Sequence, residues 1–297
     1  MFFLRLLSRL PLSVLYLLSD FFFFVSFYVV RYRRKLVIKN LKNSFPEKSV
    51  HEIAAIEKQF YINLCDYGVE MIKLLTMDKA DLKNRMRFEG LDRLQDFADK
   101  KQSILFLASH QFNWEWLLVS ASVTFPFEID FVYQPVGSNL FEEFSLQSRT
   151  RFGAYAIKRQ DVAREFVKRK HIVRGVATVA DQYPGYKHDK KYQSDFLNQE
   201  TVFFLGTNNM ALMSQYPALY YSVKKIKRGH YVGIPHIAGM PPYDKNGYTV
   251  IENYVRQTEE AIRQDPALWL WSHNRWKKRH LERGEVVINA KDQVGTK

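Results

Sequence analysis

Cysteine is nearly absent from this sequence of 297 residues, since Cys65 is the single one. One thiol excludes an internal disulfide framework and a zinc site built on cysteines, and it is typical of a reducing compartment. The sequence also lacks the motifs G-x-x-x-x-G-K-[ST], G-x-G-x-x-G, H-E-x-x-H and G-x-S-x-G. These absences argue against nucleotide-driven chemistry, zinc proteolysis and serine hydrolysis, and we expect neither a metal nor a cofactor.

Negative charge is scarce relative to positive charge. The 44 Lys and Arg residues outnumber the 31 Asp and Glu residues, which leaves a formal net charge of +13. A hydrophobic fraction of 46% with 25% charged residues is nevertheless an ordinary globular balance, so wholesale disorder is excluded. The basic excess predicts an anionic partner such as a membrane surface or an acidic protein.

One apolar run, residues 10–30, has the length that crosses a bilayer as a helix. A basic cluster follows it instead of a small-residue cleavage site, which argues against a signal peptide. Five residues within and just before the run fall on one helical stripe: Arg5, Arg9, Ser13, Tyr16 and Asp20. The stripe favours a helix that lies in the membrane interface or against the protein over one that spans the bilayer, and a buried core helix is the alternative. We predict a membrane-associating segment over 1–35 and a single α/β domain over 36–297.

Beyond residue 88, short apolar runs alternate with amphipathic helical stretches. This alternation predicts an α/β fold with a mixed, mostly buried central sheet flanked by helices. The predicted strands are 103–108, 128–133, 175–180, 219–223 and 231–234. The predicted helices are 91–101, 113–123, 140–152, 162–169, 208–215 and 255–264, besides a long helix near 51–75.

A histidine stands where the strand 103–108 gives way to a helix. His110 therefore occupies the position at which catalytic groups collect in open α/β sheets. Glu115 lies five residues on, and we expect it to reach back and hold one imidazole nitrogen, which leaves the other free to accept a proton. The alternative for such a pair is a helix-capping or core histidine beside an unrelated acid.

The stretch SHQFNWEW, residues 109–116, resembles the H-x4-[DE] box of glycerolipid and lipid A acyltransferases. Further segments resemble, in the same order, the lipid A late-acyltransferase family of lauroyl and myristoyl transferases. They are LPLSVLYLLSD, RYRRKLVIKNLKNSFPEKS, the RTRFG element at 149–153, ADQ at 180–182, FFLG at 203–206 and WLWSHNRWK at 269–277. The resemblance covers nearly the whole chain.

This resemblance implies a role for each matched residue. His110 is the implied general base and Glu115 its orienting partner, while Arg149 and Arg151 match a basic pair that binds substrate or the developing oxyanion. Asp181 matches an acidic position that orients an arginine or the acceptor. The family reaction is direct transfer, so Cys65 is not needed. Without the resemblance, the arginines would be read as a solvated basic face and Asp181 as an ordinary turn residue.

The implied function is transfer of a fatty acyl chain from acyl carrier protein to a hydroxyl of a lipid A precursor. The implied location is the cytoplasmic face of the bacterial inner membrane, and no nucleic acid partner is expected. Acylation of another membrane glycolipid or aminolipid is the alternative within the same enzyme class. A basic protein that binds a membrane or nucleic acid without catalysis is the alternative outside it. We expect His273 and Arg275 of the tryptophan-rich segment to be structural or peripheral.

Overall fold

A computed structural model describes residues 1–135, 137–186, 188–277 and 287–290. Seven strands form the central sheet in the order β1-β9-β8-β2-β5-β3-β4, and a smaller sheet has the order β10-β6-β7. The strands are β1 (Met86–Phe88), β2 (Ile104–Ala108), β3 (Glu128–Tyr133), β4 (Tyr155–Lys158), β5 (Arg174–Val179), β6 (Lys191–Phe196), β7 (Gln199–Phe204), β8 (Ala218–Lys227), β9 (His230–Gly239) and β10 (Val287–Asn289).

The central sheet is mixed. All of its neighbouring strands pair in parallel except β8 and β9, which are antiparallel. Both faces of the sheet are covered, because Leu105 and Leu107 of β2 belong to one buried apolar cluster, whereas Ile104 and Phe106 belong to the other. The predicted fold class is confirmed: a mostly parallel central sheet lies between layers of helices.

Eleven α-helices surround the sheets in the described part of the chain. They are α1 (Phe2–Ser8), α2 (Leu12–Phe24), α3 (Arg34–Ser44), α4 (Val50–Lys73), α5 (Lys79–Arg85), α6 (Leu91–Asp99), α7 (Trp114–Thr124), α8 (Asn139–Thr150), α9 (Val162–Lys168), α10 (Gly206–Ser214) and α11 (Thr249–Gln264). Local capping explains where two of them begin. Ser49 and Glu52 form a reciprocal capping box before α4, and the Asn113 side chain accepts the Trp116 N–H at the start of α7.

The N-terminal helices lie against the rest of the protein. A π-helical turn, Val25–Val29, continues α2, and together they are long and apolar enough to cross a membrane by length and composition. Yet α2 packs along α4, with Leu15 fully buried between them. Asp20, the charge in the middle of the apolar run, accepts from Arg228 at 2.6 Å. Arg228 also bonds the buried Asp66 of α4, so this ion-pair network holds α2 to the domain.

The outward side of the same segment is a continuous apolar stripe. Its members recur at helical spacing and all have more than a third of their surface exposed: Leu10, Val14, Leu17, Phe21, Phe24 and Tyr28. The protein-facing side carries the buried Leu12, Leu15 and Ser19, so this segment presents apolar side chains both to the domain and, along the stripe, to its surroundings.

Candidate active site

The site is built where two parallel neighbours of the central sheet end. His110 follows β2 and Asp181 follows β5, and because these strands are parallel, their carboxyl ends meet at one edge of the sheet. Nδ1 of His110 lies 2.6 Å from Oδ1 of Asp181. The backbone N–H of His110 donates to Oδ2 of the same carboxylate at 3.0 Å. Asp181 therefore fixes both the position and the rotation of the imidazole.

The carboxylate of Asp181 is itself tightly held. The indole Nε1–H of Trp269 donates to its Oδ2 at 2.6 Å, and the carboxylate is almost completely buried. Burial by itself raises the pKa of Asp181, but the neighbouring His110 charge and the hydrogen bonds from His110 and Trp269 outweigh burial and lower the pKa to about 2. Because Oδ1 of the ionised carboxylate can only accept a hydrogen bond, we assign the proton of the neutral imidazole to Nδ1 of His110.

Nε2 of His110 is consequently the basic nitrogen. The side-chain amide of Gln182 lies 3.2 Å from it, and its N–H₂ is the donor in the tautomer just assigned. Gln182 lines the same cavity as His110, and the His110 side chain remains 18% exposed. A hydroxyl that displaced this amide would meet an unprotonated nitrogen, which is the geometry of general base catalysis.

A single phenol fixes the two strand ends relative to each other. The Tyr254 hydroxyl, from α11, donates to the carbonyl of Ala108 at 2.9 Å and accepts the N–H of Ala180 at 3.1 Å. Ala108 and Ala180 each lie within two residues of His110 and Asp181. The spacing of the two catalytic candidates is thus set by buried hydrogen bonds as well as by the sheet.

Glu115 does not hold the imidazole, which corrects the sequence-based expectation. Its carboxylate accepts from Nε and Nη2 of Arg149 at 2.8 and 2.5 Å and from the indole of Trp114 at 3.0 Å. A guanidinium fork matches a carboxylate in two parallel hydrogen bonds, so the Arg149 charge captures Glu115 and leaves the imidazole to Asp181. Burial raises the pKa of Glu115, but the charge and hydrogen bonds of Arg149 prevail and lower it.

Arg149 belongs to this site and Arg151 does not. Arg149, in the last turn of α8, lines the cavity beside His110, and its pKa is raised because the attraction of Glu115 outweighs burial. Arg151 instead donates to the carbonyls of Leu74 and Met77, just after α4. Arg151 therefore does not act through Asp181, since two residues along a helix turn the side chain to another side, and its role in substrate binding stays a prediction.

A cavity of about 840 Å³ adjoins His110. Its walls come from α7, α8, β2, β3 and β5, and most of the lining is apolar. The half-exposed Phe141 of α8 stands at its rim. Within the described residues, no group of three or more His, Cys, Asp or Glu side chains is arranged to hold a metal ion. The arrangement as a whole offers a basic nitrogen and a buried arginine beside an apolar chamber.

The tryptophan-rich segment, residues 269–277, stabilises the loop and the strand that lie next to the site. Nε2 of His273 accepts the N–H of Tyr183, in the loop that carries Gln182, at 3.2 Å. Burial and the Arg275 charge lower the pKa of His273 to about 4, so it stays the neutral acceptor that this bond needs. Arg275 is fully buried and donates to the carbonyl of Val202. The structural alternative foreseen for these two residues agrees with their contacts.

Sequence reasoning missed Trp269 and Tyr254 as parts of the site. Both are large aromatic residues whose polar atom is buried and hydrogen-bonded, and nothing local in the sequence separates them from ordinary core residues. The sole available signal was the position of Trp269 in a segment already singled out for its resemblance to the family.

Replacing Trp269 with phenylalanine is expected to lower kcat by about tenfold with little change in KM. The substitution removes one hydrogen bond to a charged group, worth about 1.5–3 kcal/mol, while the ring still fills its place. Trp271→Phe is the matched control, because Trp271 is equally buried but donates to the carbonyl of Pro266. Steady-state kinetics of both variants measure the effect, and equal losses would show that Trp269 only fills space.

No curated protein matches this chain in a sequence search. The sequence model of the bacterial lipid A biosynthesis acyltransferases matches residues 1–278, which takes in the N-terminal helices, both sheets up to β9 and every site residue described above. The family is typically membrane-associated. The chain belongs to the bacterial lipid A biosynthesis acyltransferase family.

Proposed function

We propose that the chain transfers a fatty acyl group from acyl carrier protein to a hydroxyl of a lipid A precursor, with His110 as the general base. The observation that carries this proposal is the imidazole whose Nδ1 is held by a buried carboxylate and whose Nε2 faces a large apolar cavity. An acyl chain needs the apolar chamber, and a hydroxyl nucleophile needs the basic nitrogen.

The reaction needs no covalent enzyme intermediate. Nε2 of His110 takes the proton of the acceptor hydroxyl as its oxygen attacks the thioester carbonyl, and a tetrahedral intermediate forms. When the C–S bond breaks, the thiolate leaves and takes the proton from the imidazolium, so the base is regenerated. Asp181 stays ionised throughout and stabilises the imidazolium between the two steps.

Arg149 supplies positive charge beside the reaction centre. Its Nε and Nη2 are engaged by Glu115, which fixes the plane of the guanidinium, and the side chain lines the cavity together with His110. A cation held rigidly in this way stabilises a developing oxyanion at no cost of reorganisation. Glu115 thus serves the reaction as the group that positions Arg149.

Charge and hydropathy support the proposed donor, acceptor and location. The net charge of +13 suits an acidic carrier protein and an anionic, phosphorylated glycolipid. The exposed apolar stripe of α2 suits attachment to one leaflet, because the opposite side of the helix is held to the domain by Asp20 and Arg228. We place the protein on the cytoplasmic face of the inner membrane, with residues 1–35 as the membrane-associating segment and 36–297 as one catalytic domain.

The decisive experiment supplies the purified, full-length protein with acyl carrier protein loaded with a fatty acid and with a lipid A precursor in detergent. Mass spectrometry is expected to show the precursor heavier by one acyl chain. Transfer from the carrier to a different membrane glycolipid would retain the enzyme class and replace the acceptor. Transfer from acyl-coenzyme A alone would replace the donor, and an absence of transfer to any lipid hydroxyl would favour the non-catalytic alternative.

Replacing Leu17 and Phe21 together with glutamine is expected to move the protein from the membrane to the soluble fraction. Both side chains lie on the exposed stripe, and burying each in lipid contributes about 1.5–3 kcal/mol, so the partition should fall by about 10²-fold or more. Vesicle flotation measures it. The control replaces Val167 and Ile226, which are as exposed but lie outside the stripe, and equal release by both pairs would contradict the attachment surface.

A further inference from the structure

We propose that Glu70, a buried carboxylate of α4, positions the reaction centre, because it binds Asn113 at the start of α7 and Tyr16 of α2 at the same time. The inference rests on the proposed function and deepens it, since it makes the N-terminal helix α2 a part of the active site as well as of the membrane-associating segment. Glu70 lies outside the residues that line the cavity, so it acts through other side chains and not on a substrate.

The Glu70 carboxylate is fully buried and accepts from three neutral groups. The Tyr16 hydroxyl donates to Oε1 at 2.8 Å, and the Asn113 side-chain amide donates to Oε2 at 2.8 Å. The Tyr231 hydroxyl of β9 reaches both oxygens, at 3.1 and 2.9 Å. Burial raises the pKa of Glu70, although the bonds from Asn113 and Tyr16 oppose the shift. Donors from α2, from β9 and from the start of α7 thus meet at one carboxylate and fix one another.

Asn113 uses both ends of its side-chain amide. Its Oδ1 accepts the N–H of Trp116 at 3.0 Å and so caps α7, which leaves Nδ2 to donate to Glu70. The indole of Trp116 in turn donates to the backbone carbonyl of Glu70 at 3.0 Å. The first turn of α7 is therefore tied twice to the same residue of α4, and its orientation is set from there.

The first turn of α7 carries two residues that border the reaction centre. The Trp114 ring lies edge-to-face against the imidazole of His110, with 5.0 Å between the centroids. Glu115 accepts two hydrogen bonds from Arg149 and fixes the plane of its guanidinium. A displacement of about 1 Å at a reaction centre can cost about 10²-fold in rate. A shift of Asn113 would therefore disturb both the proposed base and the cation beside it.

Two hydroxyls of α2 donate to buried carboxylates of α4, and they lead to different places. Tyr16 donates to Glu70 at 2.8 Å. Ser19 donates to Asp66, which is likewise fully buried, at the same distance of 2.8 Å. Asp66 goes on to bind Arg228 in the turn between β8 and β9, whereas Glu70 leads to the start of α7. Loss of the first hydroxyl should therefore affect the reaction centre, and loss of the second should not.

The main test exchanges the two groups that bond between α4 and α7 in the full-length protein. Asn113→Asp keeps the oxygen that caps α7 but sets a carboxylate against Glu70, and it should lower kcat by about 10²-fold with little change in KM. In the double variant Glu70→Gln/Asn113→Asp, the glutamine amide can donate to the aspartate, so the bond is restored in the opposite direction. Most of kcat should return, whereas losses at two independent positions would multiply.

The contribution of α2 is tested by Tyr16→Phe, with Ser19→Ala as the matched control. Tyr16→Phe should lower kcat by less than Asn113→Asp does, because the Tyr231 hydroxyl still binds Glu70. Vesicle flotation should show that its attachment to membranes is unchanged, since the ring stays in place. Ser19→Ala should keep the wild-type kcat. Equal kcat values of these two variants would overturn the contribution of α2 to the reaction centre.

The NMR shifts of the His110 ring protons give a readout that does not depend on transfer, because the ring current of Trp114 acts on them. These shifts should move in Asn113→Asp and return in the double variant. If no lipid is acylated but the shifts follow this pattern, the positioning role stands and the proposed reaction falls. If transfer occurs and the double variant is as slow as Asn113→Asp, the positioning role falls.

Asn113→Ser decides if the Asn113→Asp protein does not fold. Serine is an equally good cap for α7, but its side chain is too short to reach Glu70 as well. The variant should therefore lower kcat and move the His110 shifts in the same way. A wild-type kcat together with wild-type shifts would overturn the positioning role of Glu70.

Discussion

His110→Ala is expected to lower kcat/KM by about 10²–10⁴-fold, the range that a general base contributes. The imidazole is the basic group whose free nitrogen faces the cavity, and its other nitrogen is already committed to Asp181. The protein should remain folded, because the side chain is partly exposed and the carboxylate of Asp181 keeps its hydrogen bond from Trp269. Single-turnover transfer from a loaded carrier protein, with circular dichroism as the check on folding, measures the loss.

Cys65→Ala is the control for this result, and it should keep wild-type activity. The thiol lies on α4 against Ser26, outside the residues that line the cavity, and burial raises its pKa, which makes it a poor nucleophile. An inactive but folded Cys65→Ala protein, together with an acyl group trapped on Cys65 in the wild type, would overturn direct transfer. Full activity of His110→Ala would remove the imidazole from the reaction altogether.

The sequence predicted those elements whose signal is local. The five strands predicted from apolar runs all belong to the central sheet, with ends that differ by a few residues, and β3 matches at both ends. The hairpin of β6 and β7 was missed because β6 is largely polar and the apolar residues of β7 are confined to its last three positions, Val202, Phe203 and Phe204. The short strand β4 was missed for a related reason, since four residues carry too little periodicity to be recognised.

The partner of His110 was not predictable from local spacing. An acid five residues along the chain is an obvious choice, and it is wrong here because Arg149, from another helix, captures Glu115 through two charged hydrogen bonds. Asp181 is 71 residues away from His110 and reaches it only because β2 and β5 are neighbours. Strand order depends on the packing of the whole domain, so no window of sequence contains it.

The ion pair between Asp20 and Arg228 explains why α2 was difficult to classify from sequence. A charge in an apolar run is costly in lipid, and Asp20 therefore favoured an interfacial helix. The structure supplies the partner, Arg228, which lies in the turn between β8 and β9 and could not be identified from the run itself. Glu115 and Asp20 are alike in this respect: each carboxylate is held by an arginine that is distant in sequence, so the local pattern does not show the role of the charge.

Asp181→Asn is expected to lower kcat by about 10²–10⁴-fold with little effect on KM, because it reverses the imidazole tautomer. Two N–H groups, from Trp269 and from the backbone of His110, donate to Oδ2, so the amide oxygen of asparagine must take that place. The amide N–H₂ then faces Nδ1, which has to accept. The imidazole proton moves to Nε2, and the nitrogen that faces the cavity can no longer take a proton from a hydroxyl.

A catalytic role of the Asp181 carboxylate differs from a merely structural role in two measurable ways. The ¹⁵N chemical shifts of His110 should show the proton on Nε2 in Asp181→Asn and on Nδ1 in the wild type, and Asp181→Glu should restore part of the activity because it keeps a carboxylate.

The free energy of unfolding gives a second readout of the Asp181 charge. The pKa of Asp181 is lowered from its usual value near 4 to about 2, so the ionised carboxylate stabilises the folded protein above about pH 4, and this contribution is lost as the pH falls toward 2. Wild type should therefore be the more stable protein at pH 6, and the gap in free energy of unfolding should narrow between pH 4 and 2. A gap that is constant with pH would show that the Asp181 charge does not stabilise the folded protein, and an asparagine variant with the wild-type tautomer and wild-type kcat would show that this charge plays no part in catalysis.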